Sequence, residues 1–193
     1  MGNQSLLVVT GFILLHIALI VNLVALGSQN WIQTDNANSS AIQPNTTANF
    51  SSQGLWQICV YGEDSKECTK LAPNQPAWFV AVQVIYTLGC AITFLALMGY
   101  YILFIRASNN SETTKMNNIT LALITIACTC LIIGISLFGK WAVDEYTALQ
   151  PPKEFGWSYY LAISGSVIAV LTAIVIGRET LILRSTRRPY EDI

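Results

Sequence analysis

Four runs along this chain carry no charged side chain: residues 6–26, 78–105, 119–139 and 157–177. Each reaches the roughly 20 apolar residues that a helix needs to cross a hydrocarbon core about 30 Å thick. A helix also satisfies its backbone hydrogen bonds internally, as lipid requires, so the pattern predicts four membrane-crossing helices. Composition agrees, with 53% apolar and 11% charged residues where a soluble domain carries about 25% charged. Mean hydropathy is +0.49. A soluble globular domain is excluded. The first run lacks a basic leader and exceeds the roughly 7 to 15 residues of a signal-peptide core, so it is read as a retained helix. The opening Met-Gly is not read as a myristoylation signal, because Leu6 stands where that pattern needs Ser or Thr.

Basic residues near the helix ends set the predicted orientation. The loop after the second run and the tail after the fourth hold Arg106, Lys115, Arg178, Arg184, Arg187 and Arg188, and are read as cytoplasmic. The other two loops carry seven acidic residues against four lysines. Three glycosylation sequons, at Asn38, Asn45 and Asn49, fall in the first of these and mark it as extracellular. Sequons at Asn109 and Asn118 fall on the cytoplasmic side, beyond the glycosylation machinery, and are read as noise. The expected order is a short cytoplasmic N-terminus with helix 1 (1–27), extracellular loop 1 (28–77), helix 2 (78–105), a cytoplasmic loop (106–118), helix 3 (119–139), extracellular loop 2 (140–156), helix 4 with a cytoplasmic extension (157–183) and a cytoplasmic tail (184–193).

Loop 1 changes character midway. Residues 33–53 are rich in Asn, Ser, Thr and Gln and read as a solvated, glycosylated segment. Leu55, Trp56, Ile58, Val60 and Tyr61 then lead into Gly62-Glu63-Asp64-Ser65, the pattern of a strand entering a turn. With Glu63 and Asp64 central in that turn, the register pairs Tyr61 with Lys66, Val60 with Glu67 and Cys59 with Cys68. Opposed residues in an antiparallel pair lie about 4.5 to 5.5 Å apart, within disulfide range, and an extracellular face favours oxidation. The other cysteines, Cys90, Cys128 and Cys130, lie within helices and read as small apolar side chains. With one histidine in the chain, His16, no metal site is expected. All five tryptophans, at 31, 56, 78, 141 and 157, map to the outer side, the pattern of an aromatic belt. Trp31 and Trp56 stand in the loop, and are expected to seat the outer sheet on the helices.

Trp31, Gly54-Leu55-Trp56, Cys59 and Cys68, set between the first two of four spans, resemble the Trp / Gly-Leu-Trp / Cys / Cys signature of the superfamily of claudins, peripheral myelin protein and epithelial membrane proteins. That resemblance covers essentially the whole chain. It implies an all-α transmembrane four-helix bundle, left-handed, with a small extracellular antiparallel β-sheet built mostly from loop 1 plus a strand from loop 2. In that family the two cysteines are bridged. Leu15-His16-Ile17-Ala18, Ala81-Val82-Gln83 and Gly156-Trp157-Ser158-Tyr159 are similar to the myelin and epithelial membrane protein branch. Claudins typically have Arg where Gln83 stands and end in Tyr-Val, which this chain lacks. The glycosylated insertion before Gly54 matches neither branch.

Three intramembrane features remain. His16 is expected to be neutral and bonded to a neighbouring helix, with a proton relay as the sharper alternative. Asn22 and Gln83, at similar depth in adjacent helices, are expected to bond to each other, for roughly 0.5 to 2 kcal/mol. Gly165, Ala169, Ala173 and Gly177 form a small-residue stripe, expected to serve close packing inside the bundle rather than between protomers. No catalytic constellation appears, so neither an enzyme nor a cofactor is expected. The expected function is a plasma-membrane tetraspan acting in cell–cell contact, junction formation or membrane organisation through its sheet, with an auxiliary gamma-like subunit of an ion channel as the alternative. Expected partners are lipid, the same protein in cis or trans, other membrane proteins such as a channel, and no nucleic acid. Glu191-Asp192-Ile193 fits a PDZ ligand, although a solvated tail is the plainer reading. If the hairpin lined an intercellular pore, Glu63, Asp64 and Glu67 against Lys66 would favour cations; otherwise these charges only solvate a turn.

Overall fold

The computed structural model describes residues 2–35, 50–61, 66–72, 74–106, 110–146 and 153–187. Its helices are α1 (Gly2–Gly27), α2 (Ala77–Arg106), α3 (Asn110–Tyr146) and α4 (Trp157–Arg187). Its strands are β1 (Ile32–Asp35), β2 (Phe50–Gln53), β3 (Gln57–Tyr61), β4 (Lys66–Lys70) and β5 (Lys153–Phe155). All four helices contain a segment long and apolar enough to cross a membrane: Leu6–Gly27, Ala77–Leu103, Met116–Val143 and Trp157–Ile182. Helix α3 outruns its expected span at both ends and shortens the two expected loops beside it. A helix satisfies its own backbone in water as well as in lipid, so apolar length marks where it crosses, not where it ends.

The chain divides into two compact units, each fed by all four helices. The first comprises residues 1–20, 88–131 and 165–193 and is wholly helical where described. Small residues let its helices meet. A Cβ on Gly89 would lie 3.0 Å from the Leu131 side chain, and one on Gly99 would lie 3.0 Å from the Thr120 hydroxyl. On the α4 stripe, Gly165 and Ala169 are buried while Ala173 and Gly177 are half-buried. Some polar groups here pair across helices, which apolar surroundings favour. Asn117 donates to Thr180 at 2.8 Å, and the Tyr100 hydroxyl lies 3.1 Å from both the Val8 carbonyl and Glu179. Large side chains such as Leu95, Val167 and Ile174 face outward, more than half exposed, an arrangement suited to lipid rather than water.

The second unit comprises residues 21–87 and 132–164 and holds the sheet. Strand order is β4-β3-β2-β1-β5, with every pairing antiparallel. The β3–β4 register pairs Cys59 with Cys68 and Tyr61 with Lys66, as the turn arithmetic requires. Strand β5 comes from loop 2, as the resemblance implied. The polar stretch 33–53 departs from expectation, since its two ends form most of β1 and all of β2. Composition alone misses them because what makes them strands is backbone pairing with each other, with β3 and with β5, which residue type does not reveal.

Candidate contact surface

The sheet is fastened to the helix ends around Trp31, which is fully buried. Its indole donates to the Ala25 carbonyl at 2.7 Å, and its ring meets Phe138, Tyr86 and Tyr159 edge-on with centroids 4.9, 5.3 and 6.1 Å away. Such edge-to-face geometry sets the positive rim of one ring against the negative face of another. The backbone of residues 28–30 runs between two buried glycines. A Cβ on Gly54 would collide with the Ser28 carbonyl and lie 2.6 Å from Gln29 Cα, and one on Gly156 would collide with the Asn30 carbonyl. The same segment caps α4: Ser158 N–H donates to Asn30 at 3.1 Å, and the Ser158 and Ser28 hydroxyls meet at 2.6 Å. Gly156 N–H donates to the Trp31 carbonyl at 2.9 Å, tying β5 to β1.

Leu55 is also fully buried, and Gln83 donates to its carbonyl. Trp56 is not. It is 44% exposed, so the expectation that it seats the sheet is corrected: Leu55 fills that role. Gly54 brings the chain into contact with residues 28–29, and the next residue inherits the inward position. The expected Asn22–Gln83 bond is likewise replaced, because Asn22 accepts from the Tyr86 hydroxyl at 2.7 Å. Both amides lie within reach of better-placed groups, one aromatic and one in the loop. His16 bonds within its own helix, Nδ1 lying 2.9 Å from the Phe12 carbonyl, and the Phe12 ring packs edge-on against it at 4.3 Å. A neighbouring helix is not its partner in that bond.

Strand register gives the sheet two faces. Ile32, Gln53, Ile58 and Phe155 share one, and Gln33, Ser52, Gln57, Cys59, Tyr61, Lys66, Cys68 and Lys70 share the other. Cys59 and Cys68 form a disulfide on this polar face. Gln29 folds across it, accepting from Gln57 at 2.9 Å, donating to the Tyr61 hydroxyl at 3.4 Å and resting its oxygen 3.0 Å from Cys59 Sγ. The bridged sulfur has no proton, so that last approach is a contact and not a hydrogen bond. Lys66 sits 5.1 Å above the Tyr61 ring. The polar groups beside it, Ser52 foremost and then Lys66 and Gln29, hold the Tyr61 phenol below its ordinary pKa against the opposing effect of burial.

Beyond this clasp the sheet is open. Every residue of the edge strand β4 is exposed, Lys66, Glu67 and Lys70 among them, and Val60 of β3 is exposed beside it. Glu63 and Asp64, the glycan sites Asn38, Asn45 and Asn49, and the terminal Glu191-Asp192-Ile193 lie outside the described residues. Among the described residues, no three His, Cys, Asp or Glu side chains group as a metal site would need. Gln29, Tyr86 and Phe138 were missed from sequence, and Tyr159 was noted only within Gly156-Trp157-Ser158-Tyr159. Gly156, beside β5, was noted only as part of a family-like tetrapeptide. A glycine directly before a helix that opens on Trp and Ser was the signal available for it.

No individual curated protein matches the chain. The family whose description is PMP-22/EMP/MP20/Claudin tight junction does, over residues 16–176. With four apolar spans, a Trp31-anchored five-stranded sheet and the Cys59–Cys68 bridge in place, the chain belongs to that family and is a multi-pass membrane protein.

Proposed function

We propose that this chain is a plasma-membrane tetraspan that works by contact, between cells or with other proteins in the same membrane, through its sheet and without chemistry of its own. The sheet lies outside the cell in this reading, with both termini in the cytoplasm, as the distribution of Arg and Lys suggests. The observation that carries it is the edge strand β4. It is exposed at all five positions, yet held by the Cys59–Cys68 bridge, by the Gln29 clasp and, through the sheet, by Trp31. A surface both open and rigid loses little freedom when a partner docks, which favours recognition.

A mixed culture tests this. Tagged chain expressed in half of the cells should concentrate where two expressing cells touch, and not where an expressing cell meets a silent one. Even distribution over the cell surface, together with co-purification of a channel, would defeat contact between cells in favour of an auxiliary subunit acting within one membrane.

A further inference from the structure

Between the face of the sheet that carries Ile32 and the first turn of α2 lies a cavity of about 310 Å³. We propose that it binds the uncharged, hydroxyl-bearing end of a membrane lipid. Position is the first argument. The cavity is walled by Trp78 and Phe79, the second and third residues of the span Ala77–Leu103, so it opens where protein surface passes into hydrocarbon. Tryptophan at such a place marks the headgroup level, and the molecules present there in bulk are lipids.

The lining selects among lipids. Ile58, Leu71, Pro76 and Phe79 are apolar, and among the described residues no ionisable side chain reaches the cavity. A phosphate drawn in would lose its water without gaining a counter-charge, so charged headgroups are disfavoured. The amide side chains in the lining are Gln53 and Gln75, and the Gln75 nitrogen donates to the Ala72 carbonyl at 3.1 Å. Gln75 keeps its oxygen as an acceptor and a second N–H as a donor, and the neutral lipid group that meets both is a hydroxyl, which gives and takes a hydrogen bond through one atom. The volume lies near the lower end of the roughly 300–1,000 Å³ of small-molecule sites. It holds the polar end and the first few carbons, while the remainder lies along the helices in the bilayer.

Sterols and diacylglycerols share this chemistry, and photoactivatable analogues of each separate them. The full chain is placed in nanodiscs of zwitterionic phospholipid with a trace of either probe, irradiated and mapped by mass spectrometry. Labelling of the peptides around Ile58 or Trp78 by one or both probes, competed by excess unlabelled parent lipid, is the expected result. Gln75→Leu should reduce it about fivefold, the worth of one hydrogen bond, and Ala72→Trp should abolish it by filling the cavity. Ala72 is exposed and Gln75 half-buried, so neither change disturbs the core, and retention of the Cys59–Cys68 bridge checks folding. Equal labelling by a phosphatidic acid probe would overturn the proposal. So would labelling spread evenly over outward residues such as Val84 and Leu88 and indifferent to both variants, or no labelling of the cavity by either probe.

Discussion

Replacing Trp31 should loosen the sheet far more than replacing Trp56, although both belong to the family signature. Trp31 is fully buried, and truncating a buried Trp to Ala costs about 3 to 5 kcal/mol. The three edge-on rings around it place the change toward the upper end, since each aromatic pair adds about 0.5 to 1.5 kcal/mol beyond area. Trp31→Phe keeps a ring in the pocket and loses chiefly the indole bond to Ala25, for about 1 kcal/mol. Trp56, 44% exposed, buries roughly half of its ring, so Trp56→Ala should cost about 1 kcal/mol. Amide hydrogen exchange of β1 and β2 in lipid nanodiscs reads these differences, because local opening scales the exchange rate. With every 1.4 kcal/mol worth a factor of ten, Trp31→Ala should speed exchange by at least about a hundredfold, and the other two changes by about fivefold. An acceleration below tenfold for Trp31→Ala, or one matched by Trp56→Ala, would refute the anchoring argument.

Cys59→Ser should weaken the sheet by about 2.6 kcal/mol, the loop-closure value for a separation of nine residues, and lower surface delivery; thiol labelling of intact cells should find no free sheet thiol in the wild type. Gly54→Ala and Gly156→Ala should each cost about 1 to 3 kcal/mol or more, because the new methyl meets backbone, whereas Gly27→Ala, with nothing within 4 Å, should be nearly silent in the same exchange assay. Replacing Asn38, Asn45 and Asn49 together should collapse a glycosidase-sensitive ladder of gel bands to one; a glycan surviving on the triple variant would overturn the proposed orientation.

Features written in one contiguous stretch were legible in the sequence. The four spans showed because lipid acts on every residue of a helix crossing it, so charge is absent from whole runs of chain. The β3–β4 register showed because a short turn ties residue to residue by counting outward, which also brought Cys59 opposite Cys68. Strands β1 and β2 were less legible, being polar and short.

What the sequence left open was which side chains meet after the chain returns upon itself. Counting residues cannot tell that Trp31 turns inward among Phe138, Tyr86 and Tyr159 while Trp56 turns out, since the two differ in neighbours and not in kind. Nor can it tell that Asn22 bonds to Tyr86 and Gln83 to the Leu55 carbonyl, because several partners stood at similar depth and only packing ranked them. The sequence by itself determined the number of spans, the hairpin and the bridge, all of which follow from forces acting along the chain. Only the tertiary structure decided the anchor, the clasp by Gln29 and the close passage of residues 28–30 past Gly54 and Gly156, because each depends on segments far apart in sequence arriving within a few ångströms of one another.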